Sequence, residues 1–166
     1  MAQTQKTLIL LRHGHRDRIP DEHDNGLSQK GWLQAADAAN SLFQKWEKTW
    51  DQSKVDLLTS PKLRCQETIE PFSKMIKGEI TMEPLLVEAK AAETHAEFVE
   101  RIQKFINMWK KSSAPVTVAC SHSDWIPIAL QLLVNEVGSV SKGAYYEIVF
   151  KNGALSLESY REPKTS

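Results

Sequence analysis

Hydrophobic and polar positions recur along this chain in two periods, and the switches between them mark its elements. Thr7 to Leu11 (TLILL) is a continuous apolar run of strand length, the pattern of a strand covered on both faces. Residues 27–50 follow with Leu33, Ala36, Leu42, Phe43 and Trp46 at helical spacing. Val55 to Leu58 is a short apolar strand, and residues 60–76 read as a helix with Ser60 as N-cap and Pro61 at the first helical position. Glu79 to Val87 reads as a further strand. Residues 94–111 open on Thr94 and Glu97, the spacing of a capping box, and run Phe98, Ile102, Phe105, Ile106 and Trp109 down one face. Residues 114–121 form another strand and 124–135 a mostly apolar helix. The chain closes on two alternating runs, 145–160, around Asn152-Gly153, a hairpin signal.

The order β-α-β-α-β-α-β-α-β-β predicts the α/β class. The expected architecture is three-layer α/β/α: a mostly parallel sheet with helices on both faces and an antiparallel C-terminal hairpin. No repeat and no Pro-, Gly- or Ser-rich linker interrupts it, so residues 1–166 are expected to form one domain. Composition narrows the partners. Hydrophobic residues at 41% and charged residues at 25% suit a globular protein, and Lys+Arg and Asp+Glu stand equal at 21. The balance gives no reason to expect nucleic acid or an anionic membrane as partner, and any positive field must be local. No apolar run approaches the roughly 18 residues of a spanning helix. The N-terminal apolar stretch is too short for a signal segment, so the cytoplasm is the expected location. Cys65 and Cys120 have no CxxC neighbour and are expected to be reduced, partly buried thiols. The CxxxxxR loop of cysteine phosphatases is missing, which argues against a cysteine nucleophile.

Charge is concentrated where the first strand ends. LILLRHGHRDR passes from four aliphatic residues to a knot of His and Arg: Arg12, His13, His15, Arg16 and Arg18. Ligands of open α/β sheets bind beyond the carboxyl ends of the strands. There the second strand delivers Ser60 and Arg64, and the strand VTVACS delivers His122 just before a helix. Arg12, Arg16 and Arg64, with His13 and His122, can hold a dianion through charge-assisted hydrogen bonds, and the helix start adds a partial positive charge. Coordination of a metal by His13, His15, His23 and His122 is the rival arrangement, and the interleaved arginines oppose it.

With these residues assembled, the chain resembles the histidine phosphatase superfamily, which includes the cofactor-dependent phosphoglycerate mutases. The resemblance is carried by LLRHGHR (10–16), NGLSQKGWLQA (25–35), LLTSPKLRCQET (57–68) and CSHSD (120–124), in the family's order. It implies a metal-independent, cofactor-free phosphoryl transfer in two steps. His13 attacks phosphorus and water releases the phosphohistidine, while Arg12, Arg64 and His122 hold the phosphoryl oxygens. RHGHR has the form of acid phosphatases rather than mutases, so Arg16 is expected to contact phosphate, and Ser123 to contact substrate. A phosphohistidine phosphatase, a mutase-type phosphotransferase and a non-catalytic phospholigand-binding module are the alternatives. Substrates expected from this resemblance are phosphorylated small molecules or phosphoproteins.

An alkoxide leaving group needs a proton, and Glu88 matches the place of the family's general acid. The glycine-rich continuation usual after that acid is replaced by AKAAET. Asp124 is an alternative, although Ser123 separates it from His122; Asp17 is near the nucleophile without any mark of an acid. Residues 18–26 are polar and are expected to form a loop over the entrance, either shaping specificity or simply solvated. Trp125 either flanks the pocket or joins the core, and His15 has no assigned role.

Overall fold

In a computed structural model, which describes residues 5–19, 24–50 and 54–164, the predicted succession of elements is present. It runs β1 (Gln5–Arg12), α1 (Gln29–Lys48), β2 (Val55–Thr59), α2 (Leu63–Ile76), β3 (Ile80–Met82), α3 (His95–Lys111), β4 (Val116–Ser121), α4 (Trp125–Val134), β5 (Tyr145–Lys151) and β6 (Ala154–Arg161). One six-stranded sheet holds them in the order β3-β2-β4-β1-β5-β6. β3, β2, β4 and β1 are parallel neighbours, while β5 runs antiparallel to β1 and β6 antiparallel to β5.

Alternation along β1 divides the core into two layers, as the period of a strand requires. Ile9 and Leu11 point with Val118 and Cys120 to the face covered by α1 and α2, where Ala38, Leu42, Ile69 and Phe72 pack. Leu8 and Leu10 point to the face covered by α3 and α4, against Phe105, Trp109, Trp125 and Leu130. Trp125 thus belongs to the core, its indole N–H donating to the Leu85 carbonyl at 2.8 Å. Among the described residues no helix is long and apolar enough to cross a membrane.

Three local expectations are corrected. Leu33 and Ala36 of α1 are exposed, and the buried stripe runs Gly31, Gln34, Ala35, Ala38, Ala39, Leu42 instead. The helix is rotated because Gly31 must meet the backbone after β1. α2 begins at Leu63 with Lys62 at the N-cap, not at Pro61 behind Ser60. The Ser60 hydroxyl is turned to His122, and the exposed first N–H groups find another acceptor: Leu63 N donates to Asp24 Oδ1 at 2.7 Å. β3 stops at Met82, because Pro84 has no N–H for the ladder and opens a 3-10 turn, Pro84–Leu86, capped by the Glu83 carboxylate.

Backbone contact between residues 14–15 and α1 explains two glycines. A Cβ on Gly14 would lie 2.8 Å from the Gly31 carbonyl oxygen, and one on Gly31 would lie 2.0 Å from the His15 carbonyl oxygen. Neither obstacle is a flexible side-chain end, so α1 docks on the RHG turn only if both residues lack side chains. Gly31→Ala is predicted to destabilise the fold by about 2 kcal/mol or more through this overpacking, measured as a fall in the urea midpoint; an unchanged midpoint would contradict the contact.

Candidate active site

Strand register sets the site. Arg12 of β1 pairs with Ser121 of β4, and Thr59 of β2 pairs with Cys120. The next residues on β1 and β4, His13 and His122, therefore leave adjacent strands at one level, and Ser60 leaves β2 one row before them. His13 N donates to the Ser121 carbonyl at 3.2 Å and Ser60 N to the Cys120 carbonyl at 3.0 Å, which prolongs the ladder into the site. The two imidazoles meet edge to face, with centroids 5.4 Å apart.

His13 is buried, and its Nδ1 lies 2.8 Å from the Gly14 carbonyl oxygen. A carbonyl only accepts, so Nδ1 carries the proton. In the neutral ring this leaves Nε2 with its lone pair free. Burial, then the positive charge of Arg64, Arg12 and Arg16, lower the His13 pKa to about 3, against the one opposing effect of the Gly14 hydrogen bond. A nucleophile at neutral pH needs this protonation state.

His122 stands on the opposite side. Ser60 Oγ lies 2.8 Å from its Nε2, and Cys65 Sγ is 3.6 Å from the same nitrogen. Its Nδ1 is 3.3 Å from Glu88 Oε2 and 3.4 Å from Arg64 Nη2. Burial first, then Arg64, hold the His122 pKa at about 2, so the Glu88 carboxylate does not make it a cation. Arg64 is 4% exposed; its Nη2 donates to Glu88, while Nε and Nη1 are buried with no hydrogen-bond partner among the described residues. Buried guanidinium N–H groups left unpaired are costly and call for an acceptor.

A cleft of about 280 Å³ opens on these groups. Arg12, His13, Arg16, Arg64, Glu88, His122 and Ser123, all expected in the site, line it, as does Asp124. Arg12 is held by the Val140 carbonyl at 2.8 Å, and its buried Nε has no partner among the described residues. Arg16 donates to Asn25 Oδ1 at 2.9 Å. Arg18 and Lys142 also line the cleft, and neither was singled out for it from the sequence. Lys142 sits in a loop before β5 with no motif around it; the Gly143 beside it, at φ +78, was the available signal of a built turn.

Sequence reading also missed Arg101. Its guanidinium donates to the carbonyls of Leu85 (2.9 Å), Val87 (2.7 Å) and Glu88 (3.0 Å), and pairs with Glu93 at 2.8 Å through both Nε and Nη2. That fork pulls the Glu93 pKa down to about 2 and fixes the segment that carries Glu88. Asp124 accepts from Ala89 N at 3.1 Å and ties the same segment to the start of α4. His15 turns away from the cleft: its Nδ1 meets Ser28 Oγ at 2.6 Å, and Ser28 caps α1 through Gly31 N. Asp17 lines a neighbouring cleft instead. His23 lies outside the described residues, and among those described no three His, Cys, Asp or Glu side chains are grouped to hold a metal. Both cysteines are fully buried free thiols, more enclosed than expected.

The two depressed histidines have a stability consequence. Unfolded imidazoles bind protons as pH falls through about 6.5, whereas the folded ones do so only near 3 and 2. The unfolded chain thus holds more protons in between, and stability, full above about pH 6.5, must fall with pH by up to about 1.4 kcal/mol per unit for each ring. Urea midpoints taken from about pH 7 to about pH 5 should decline, and less steeply in His122→Asn. A flat midpoint would show that the rings are not held neutral.

Comparison with curated protein sequences finds no match. Solved structures align over nearly the whole chain. A mycobacterial hydrolase matches at TM-score 0.77 with 14% identity, covering 99% of this chain and 94% of its own. Phosphoserine phosphatase from Entamoeba histolytica matches at TM-score 0.73 with 16% identity, over 97% and 98%. Mycobacterial glucosyl-3-phosphoglycerate phosphatase with inorganic phosphate matches at 0.68 with 14% identity, over 97% and 99%. At such identities these likenesses establish the fold. The sequence model of branch 1 of the histidine phosphatase superfamily matches residues 8–92, just over half of the chain. The chain belongs to the histidine phosphatase superfamily.

Proposed function

We propose that this protein is a phosphatase that hydrolyses phosphomonoesters of small molecules, or phosphorylated protein side chains, through a phosphohistidine on His13. The observation that carries the reading is a neutral His13 with a free Nε2 in the same cleft as a buried Arg64 whose Nε and Nη1 lack partners among the described residues. A phosphoryl group supplies the missing acceptor and the electrophile together. Family membership and the phosphatase names of the similar structures support the same reading.

In the first step Nε2 attacks phosphorus in line: the N–P bond forms, the P–O ester bond breaks, and its electron pair leaves on oxygen. Arg12, Arg16, Arg64 and His122 stabilise the charge on the non-bridging oxygens. In the second step Glu88, now a carboxylate, takes a proton from water as the water oxygen bonds to phosphorus, the N–P bond breaks, and its electron pair returns to Nε2. The arginines supply the positive charge this transfer requires, and no metal is invoked. The buried free thiols accord with a reducing compartment, and we place the enzyme in the cytoplasm.

Glu88 is the general acid in this scheme, giving its proton to the leaving oxygen. Without ligand its carboxylate engages Arg64, His122 and, at 3.6 Å, Lys62. The engaged carboxylate also gives the second reading its support. A phosphoramidate such as phosphohistidine departs without an acid, so Glu88 would serve there as a counter-ion only.

Kinetics of three substrates separate these roles. His13→Ala should lower hydrolysis of p-nitrophenyl phosphate at least ~10⁴-fold; retained turnover would remove His13 as nucleophile. Glu88→Gln should slow alkyl phosphates by about 10²-fold and affect p-nitrophenyl phosphate far less, because its leaving group needs little protonation. Equal small effects on alkyl phosphates and phosphohistidine would assign the enzyme to phosphoramidates.

A further inference from the structure

Both imidazoles of the site are neutral, so each nitrogen on the cleft side presents either a lone pair or an N–H. For His13 the Gly14 carbonyl fixes the choice: Nδ1 is protonated and Nε2 offers the lone pair. For His122 the choice rests on the groups around each nitrogen. Nε2 lies against fully buried groups, Ser60 Oγ at 2.8 Å and Cys65 Sγ at 3.6 Å. Nδ1 lies on the side of Glu88 and Arg64, which line the cleft.

Ser60 is pinned where it meets the ring. It is fully buried, its N donates to the Cys120 carbonyl at 3.0 Å, and its hydroxyl oxygen accepts from Lys62 N at 3.4 Å. Among the described residues the one acceptor for the hydroxyl proton is His122 Nε2. The Cys65 thiol has an acceptor of its own, the Ser121 carbonyl at 3.6 Å. Were Nε2 protonated instead, the serine proton would be buried without a partner. The Nδ1 lone pair would then also face the Glu88 carboxylate at 3.3 Å. Both defects are costly in a buried site. With the proton on Nδ1 every group is satisfied: Ser60 donates to Nε2, and Nδ1 and Arg64 Nη2 both donate to Glu88.

Ser60, His122 and Glu88 thus stand in the order of a hydrolase's serine, histidine and acid. The serine is no nucleophile here. It is fully buried and absent from the walls of the cleft, so a substrate in the cleft does not reach its oxygen. Its effect passes to the far side of the imidazole, where the Nδ1 proton faces the groups that line the cleft.

We propose that Ser60 is a positioning residue: by donating to Nε2 it fixes the His122 proton on Nδ1, so that this ring meets a phosphoryl oxygen as a neutral N–H donor. The assignment rests on the phosphatase reading for the phosphoryl group, whereas the tautomer belongs to the resting protein. The two rings carry the same tautomer in opposed orientations. His13 shows the cleft a lone pair that can form the N–P bond. His122 shows it a proton that can bond a non-bridging oxygen. Neither ring has to become a cation, so the donor is in place at neutral pH.

Nitrogen NMR of the intact protein labelled with ¹⁵N-histidine tests it. Correlations from the ring carbon-bound protons separate protonated from unprotonated ring nitrogens, and the His122→Asn spectrum identifies the His122 signals. Near neutral pH the wild-type protein should show His122 protonated on Nδ1 and unprotonated on Nε2. In Ser60→Ala that single form should give way to a mixture of tautomers, and Ser60→Thr, which keeps the hydroxyl, should restore it. With p-nitrophenyl phosphate, Ser60→Ala should lower kcat and kcat/KM alike by about tenfold, as for a donor weakened in the transition state. A wild-type His122 protonated on Nε2, which needs no variant to detect, would overturn the assignment. An unchanged tautomer in folded Ser60→Ala would overturn it too. If the tautomer follows the Ser60 hydroxyl but no phosphomonoester is turned over, the assignment stands and the phosphatase reading falls.

Discussion

Arg64 is a cation buried almost completely, with a single carboxylate on one nitrogen and two nitrogens that have no hydrogen-bond partner among the described residues. Everything near it follows from the cost of that arrangement. A guanidinium taken out of water needs full pairing, so Glu88 is drawn in as a partial counter-ion. Neighbouring imidazoles cannot also charge, and burial and the arginine field hold His13 and His122 neutral. In the proposed reaction that neutrality makes His13 a nucleophile, and a phosphoryl dianion supplies the missing negative charge. The same electrostatic constraint there accounts both for binding of the phosphoryl group and for activation of the nucleophile.

Such a cluster survives because the rest of the fold pins it. Parallel pairing of β4 and β1 delivers His122 and His13 at one level, with Ser60 of β2 one row before them, and the hydrophobic layers on both faces fix that register against slippage. α1 approaches the RHG turn closely enough to exclude any side chain at Gly14 or Gly31. Arg101 and Asp124 secure the segment that presents Glu88. Rigid supports beneath a set of mutually repelling groups amount to preorganisation: in the proposed reaction the donors are in place before charge develops on the phosphoryl group.

Much of this was legible in the sequence, and the failures have physical causes. The element order and the convergence of Arg12, His13, Arg64 and His122 followed from periodicity and from where ligands bind in α/β sheets. Ser60 was read as a helix cap because Ser-Pro satisfies local capping rules; the fold spends its hydroxyl on His122, a partner 62 residues away. Leu33 and Ala36 matched helical spacing, yet backbone contact at Gly31 set the rotation of α1. β3 was drawn too long because apolar residues around Pro84 outweighed the missing N–H. Arg101 and Lys142 escaped because the first binds distant backbone carbonyls and the second reaches the cleft from a loop, and neither carries a local pattern.

The central claim is that a neutral His13, its proton fixed on Nδ1, takes the phosphoryl group on Nε2. Rapid quenching in base during turnover of p-nitrophenyl phosphate, followed by peptide mass spectrometry and ³¹P NMR, tests it directly. The account predicts one acid-labile, base-stable phosphoryl group on His13 Nε2, formed and discharged at rates that support turnover. Phosphate trapped on another residue, or single-step turnover with no phosphoenzyme at any time, would contradict it.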